Sequence, residues 1–261
     1  MMVPPFPLLL AAAGVAFWPV WIWFAAGSAD ASNDYTGLLA AATAIAIVWR
    51  APAAKPVAHA LALPAALIAT YTVGAAIGMA PVVGALLAAL ALAALASAVR
   101  LGRRMDGPLL ALCVLALPIA AGLQFYCGYP LRVVAGELTV MMLRMNGLAV
   151  VREGAMLAWD GQLIAIDAPC SGVKMMWAGL YLACALAASY RLSMARTLAA
   201  ATLACVVVVG ANAVRAAALF HTEAGLLIMP PWTHQASGVV CFIAAALAIY
   251  AGVRSLQGES P

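Results

Sequence analysis

Charge is scarce in this chain. Of its 261 residues only 13 are Lys or Arg and 9 are Asp or Glu, 8% in all, where a soluble globular domain carries roughly a quarter. That deficit excludes an ordinary soluble fold. The net charge of +4 comes with no basic patch interleaved with aromatics, so nucleic acid is not an expected partner. No group of residues has zinc-ligand spacing, and neither a metal nor a cofactor is expected. The six cysteines suggest no disulfide framework. Cys113, Cys184, Cys205 and Cys241 fall within apolar stretches, where a free cysteine acts as a small hydrophobe. Cys127 is the one position that could pair with Cys170. Internal repeats are not evident.

Apolar residues make up 67% of the chain, in runs long enough to cross a bilayer. Eight spans are expected, at about 5–27, 35–49, 58–78, 82–99, 108–127, 170–189, 197–220 and 234–253. The chain is therefore read as an all-α polytopic membrane protein. Arg50 and Lys55 follow the second span, Arg100, Arg103 and Arg104 the fourth, Arg191 and Arg196 the sixth, and Arg254 the eighth. Short loops rich in Lys and Arg mark the cytoplasm, so both termini are expected there. Segments 28–34, 128–169 and 221–233 then face outward. The first span has no basic n-region and is too long for a signal peptide core, so it is read as a retained helix.

Residues 1–127 are read as a scaffold of transmembrane helices. Stretches such as "LLAALALAALASA" let helices approach closely. Residues 128–169 differ. Arg132, Glu137 and Arg144 interrupt an apolar surface of Val133, Val134, Leu138, Met141, Met142 and Met145, which suggests a helix lying in the outer interface. Asp160-Gly161 between apolar runs signals a hairpin, and Glu153-Gly154 a turn before it. A small β element is expected outside the hydrocarbon, because open strand edges are not tolerated within it. Residues 170–261 hold the last three spans and the candidate chemistry.

That chemistry rests on three residues. Cys170 opens span six, with Ser171 and Gly172 in its first turn. A helix N-terminus favours thiolate over thiol, and Lys174, four residues on, would add to this. Arg215 lies inside an apolar span, a costly place for a charge and by default a functional one; snorkelling to the interface is the other reading. Asn212 precedes it by three residues, on the same face. His234 begins span eight, and His221, ending span seven, competes for its role. The charge-derived topology brings all three spans' ends to the outer leaflet. A thiol, a guanidinium and an imidazole there suit nucleophilic acyl transfer: Cys170 attacks a carbonyl, His234 takes and returns a proton, and Arg215 stabilises the thiolate or oxyanion.

"GYPLRVVAGELTVMMLRMNGLAVVREG", "APCSGVKMMW", "NAVRAAALF" and "HQASGVVCF" resemble the membrane-embedded exosortase/archaeosortase family over about residues 125–245. The matching positions are Cys170-Ser171-Gly172, Asn212 with Arg215, and His234 with Gly238 and Phe242. The resemblance implies a protein-sorting cysteine transpeptidase of the bacterial inner membrane, with its active site on the periplasmic face. Its substrates would be membrane-anchored proteins bearing a PEP-CTERM-like carboxy-terminal signal: a short motif, a membrane helix and a basic tail. Cleavage would pass through a thioester on Cys170 to an acceptor of unspecified chemistry, lipid- or polysaccharide-linked being one option. Membrane lipid is the surrounding partner.

Two other readings stand beside this one. A non-catalytic scaffold or transporter for surface polysaccharide would need none of this chemistry. A transporter, though, should carry charged or broken helices at midplane in both halves, and the first half has no charge at depth. A lipid-linked acyltransferase would use the same nucleophile without regard to the protein's carboxy terminus.

Overall fold

A computed structural model describes residues 6–30, 36–52, 54–165, 172–230 and 232–257. Ten α-helices and one small sheet account for most of them: α1 Phe6–Ala16, α2 Trp18–Ala29, α3 Thr36–Arg50, α4 Ala62–Ala76 after a 3-10 turn at Ala58–Leu61, α5 Pro81–Val99, α6 Gly107–Leu115, α7 Ala120–Met145, α8 Val173–Ser189, α9 Met194–Glu223 and α10 Thr233–Ser255. Between α7 and α8 lie β1 Val151–Glu153, β2 Met156–Trp159 and β3 Gln162–Ala165. The all-helical membrane class read from the sequence fits this architecture. Large apolar side chains such as Val15, Trp18, Ile77, Val206 and Val240 stand exposed, as lipid-facing residues do and water-facing ones rarely do.

By length and composition four helices among the described residues can cross a membrane: Ala58–Ala76, Pro81–Val99, Met194–Glu223 and Thr233–Ser255. Two bent pairs, α1 with α2 and α6 with α7, raise that to six if each pair is one span. The expected eight spans are not all matched by such helices, because α3 and α8 have 15 and 17 residues. At 1.5 Å per residue they reach about 23 and 26 Å against a hydrocarbon core of about 30 Å.

The chain forms two compact units, residues 1–121 with 184–198, and 122–183 with 199–261. In the first, α5 is nearly continuous alanine and leucine, with Ala85, Ala88, Ala91, Ala93, Ala94 and Ala98 buried. Pro81 starts it at a position where a missing N–H costs nothing. The expected first span is not one rod. It breaks at Phe17, and α1 and α2 meet at 74°. Pro19 in the first turn of α2 cannot continue the hydrogen bonds of α1, and the indole N–H of Trp21 donates instead to the Gly14 carbonyl at 2.9 Å. Phe17 is fully buried and meets Tyr71 edge-on, with ring centroids 4.9 Å apart. The expected fifth span is likewise interrupted between Leu115 and Ala120, where Pro118 sits.

Asp106 caps α6. Its Oδ1 accepts from the Leu109 N–H at 3.0 Å, its Oδ2 accepts from Arg103 at 2.9 Å, and its own N–H donates to the buried Ser97 hydroxyl.

In the second unit α7 runs across the expected boundary at residue 128. It runs unbroken for 26 residues through Pro130, so the expected interfacial helix is the continuation of the preceding apolar one. Two of its charges are taken up at β1 or just before it. Glu137 pairs with Arg152 at 2.6 Å, and the Arg144 Nε donates to the Val150 carbonyl at 2.8 Å. The opposite face buries Ala135, Gly136, Thr139, Val140 and Leu143. The Thr139 hydroxyl lies 2.8 Å from the Ala135 carbonyl and 3.2 Å from the Ala213 carbonyl, fixing α7 against α9. Gly147, with φ +84°, ends the helix, and Leu148 N–H reaches back to the Leu143 carbonyl, a left-handed cap that suits glycine.

The sheet is antiparallel in the order β1-β2-β3. Asp160 and Gly161 both have positive φ, as a two-residue turn between β2 and β3 requires. Leu157 and Val150 pack with Val140, Leu143, Leu219 and Phe220, and Trp159 meets Phe220 edge-on. The sheet thus sits on the joined ends of α7 and α9. Further along, Gly179 of α8 leaves space for Val208 of α9 and Ile249 of α10.

Removing the α6 cap tests the first unit. Asp106→Ala should lower unfolding stability by about 1–2 kcal/mol, as lost caps do, while Asp106→Asn keeps an acceptor for Leu109 and should lose less than half of that. Thermal unfolding in detergent micelles measures both; equal losses would place the stabilisation in the Arg103 ion pair.

Candidate active site

Cys170, Ser171 and Asp167 lie outside the described residues. The residues around them can be placed. α8 begins at Val173, three residues later than expected. Gly172 is the reason: its φ of +78° is left-handed, so it cannot form part of the first helical turn. Instead its carbonyl accepts the Met176 N–H at 2.7 Å. Lys174, the second residue of α8, is exposed.

Gly172 is buried against Asn212. A Cβ added to it would come within 3.1 Å of the Asn212 Cγ and Nδ2. Asn212 itself is buried. One helical turn on, Arg215 lies across Gly238 of α10, where a Cβ would sit 3.4 Å from the Arg215 Cζ and Nε. Two glycines thus let two polar side chains of α9 seat on α8's entrance and on α10. Among the described residues the Arg215 Nε is buried with no hydrogen-bond partner. Cys241 lies three residues beyond Gly238 on α10.

Above Arg215 the same stripe of α9 continues as Ala216, Leu219, Phe220 and Glu223, and these border a cavity of about 220 Å³. Its other walls are Leu157, the whole of β3, and His234. His234 is the second residue of α10 and half-buried. Gly238, one turn on, shares its face. His221 is placed differently. It is absent from the cavity wall, and its Nδ1 donates to the Ala217 carbonyl of its own helix at 2.8 Å, which fixes the tautomer.

Gly172, Asn212, Arg215, Gly238 and His234 thus lie within one unit, and of the two histidines at these helix ends His234 borders the cavity while His221 does not. Glu223 was not foreseen as part of the site: a single carboxylate at the end of α9 carries no motif. Among the described residues no three His, Cys, Asp or Glu side chains cluster as metal ligands do. Cys127 is a free, exposed thiol.

The two glycines separate by stability. Gly172→Ala combines left-handed strain with a close approach to Asn212 and should cost about 1–2 kcal/mol. Gly238→Ala adds an ordinary contact and should stay within about 0.5 kcal/mol of the parent. Unfolding midpoints in micelles check the ranking; a reversed order would mean the Arg215 seat is the tighter one.

No curated protein and no solved structure matches the chain. Residues 6–251, nearly its whole length, match the model of the transmembrane exosortase family, Exosortase_EpsH. With that match, the chain belongs to the transmembrane exosortases.

Proposed function

We propose that this exosortase cuts the carboxy-terminal sorting signal of membrane-anchored proteins at the periplasmic face of a bacterial inner membrane and transfers the released protein to an acceptor. The observation that carries this reading is the cavity. One wall ends at Ala165, five residues ahead of Cys170 in the chain, another is His234, and Arg215 is seated one turn along α10 from that histidine.

In the proposed reaction the Cys170 thiolate attacks the scissile carbonyl. Arg215, whose buried Nε lacks a partner among the described residues, donates to the oxyanion as charge develops there. The carbon–nitrogen bond breaks as His234 gives a proton to the leaving amine, leaving a thioester on Cys170. The acceptor's nucleophile then attacks the thioester, yields its proton to His234, and frees the thiolate. The apolar cavity wall of Leu157, Ile164, Leu219 and Phe220 limits water at the thioester and favours transfer over hydrolysis. Eight crossings with both termini cytoplasmic would place this site outside. The sheet fits that placement, because an open strand edge is unstable in hydrocarbon.

The test is the intact mass of a co-expressed substrate with a hydrophobic carboxy-terminal helix, taken from the same genome. The tail should be lost with the parent enzyme, with His221→Ala and with Cys241→Ala, and retained with Cys170→Ala and His234→Ala. Arg215→Lys should slow processing by about 10²–10³-fold, the cost of removing an oxyanion donor, since an ammonium does not reproduce the guanidinium fork. Processing lost with Cys241→Ala but kept with Cys170→Ala would move the nucleophile to the second thiol near Arg215. Processing unaffected by either would favour a scaffold.

A further inference from the structure

Four consecutive residues, Gln162, Leu163, Ile164 and Ala165, border the cavity. Side chains of a strand alternate between its two faces, so four in a row line one space only if that space runs along the strand's backbone edge. β3 is an edge strand, since the sheet order is β1-β2-β3. Among the described residues its outer side takes no backbone hydrogen bond.

The register tells which groups that edge presents. The two-residue turn at Asp160-Gly161 makes Trp159 and Gln162 its closing pair, and such a turn joins the first residue's carbonyl to the last residue's N–H. Trp159–Gln162 is then a hydrogen-bonded pair, and so is Leu157–Ile164, because bonded and non-bonded pairs alternate. Leu163 and Ala165 fall at the non-bonded positions. Their N–H and C=O groups point away from β2, toward the cavity.

Natural edge strands are usually blunted by Lys, Pro, a bulge or a covering helix. β3 has no charge and no proline, and Leu163 is 59% exposed. An edge with open donors and acceptors, beside a cavity that holds His234, is complementary to one chemistry, an extended peptide backbone. We propose that the extended stretch of the substrate just ahead of its membrane helix adds to β3 as a fourth strand, pairing with Leu163 and Ala165 and lying between β3 and the Leu219–Glu223 end of α9. This rests on the sorting-enzyme reading and deepens it. Strand addition draws affinity from main-chain bonds and specificity from pockets for alternate side chains. Here the apolar wall of Leu219 and Phe220 would take one side chain of the signal. The peptide would then run beside the strand that leads to Cys170.

Leu163→Pro isolates the edge. The lost N–H points away from β2, so the hairpin keeps its bonds, and proline is tolerated at such positions. Leu163→Ala keeps the N–H and loses the side chain. With the full-length enzyme in membranes and the same co-expressed substrate, Leu163→Pro should raise KM about 3- to 10-fold, the worth of one hydrogen bond, with kcat changed less than twofold and Leu163→Ala close to the parent. Alkylation of Cys170 at the parental rate verifies that the site is intact. Equal KM for Leu163→Pro and parent overturns the proposal, as does a loss of alkylation that tracks the loss of processing.

A second arm separates this from the reaction itself. A photo-crosslinking residue at position 163 of a Cys170→Ala enzyme should capture the substrate just ahead of its membrane helix. Capture there with no processing by the Cys170 enzyme would keep the pairing and defeat the transpeptidase. Processing with crosslinks only to lipid or to a second enzyme copy would keep the transpeptidase and defeat the pairing.

Discussion

A guanidinium held among apolar helices is the constraint around which the second unit is arranged. The Arg215 Nε is buried, and a charge at such a position is stable only where geometry and partners are fixed in advance. Gly238 supplies a flat seat on α10, Gly172 gives Asn212 its place beside the entrance to α8, and α9 carries both polar residues on one stripe. None of these contacts is strong alone. Together they keep a donor in position without a protein acceptor to neutralise it, which is what a site needs if the donor is to meet charge that appears only during reaction.

The sheet depends on the same helix. Leu219 and Phe220 of α9 join Leu157 and Val150 in one apolar cluster, so the stripe that positions Arg215 at one level supports the hairpin at the next. Arg152 and Arg144 hold β1 to α7 from the other side. The hairpin is therefore braced on its β1 side and on one face, while the β3 side is left open to the cavity.

What the sequence made legible was chemistry that is local or compositional. Hydropathy marks apolar segments because lipid demands them, and the cysteine turn, Asn212, Arg215 and His234 stand out because polar groups are rare among such helices. Helix breaks were hidden. Pro19 and Pro118 accompany interruptions, whereas Pro130 sits inside a continuous helix, and the difference lies in neighbours: the Trp21 indole satisfies a carbonyl at the first break, and packing on α9 holds the turns after Pro130. The partnership of Gly172 with Asn212 and of Gly238 with Arg215 was equally hidden, since it joins residues far apart in the chain through the absence of a side chain. So was the choice between His221 and His234 as a cavity residue, which depends on which way each helix end faces.

The alanines of α5 carry a different lesson. With Ala85, Ala88, Ala91, Ala93, Ala94 and Ala98 buried along one helix, the first unit stores its fit in smallness and not in greasiness. A change such as Ala91→Leu would leave every hydropathy measure improved and the segment more membrane-like, yet it would push apart backbones that now touch. Over evolutionary time such a helix can drift only among Gly, Ala, Ser and their near equals, so its identity is preserved by volume while its polarity alone would let almost any apolar residue in.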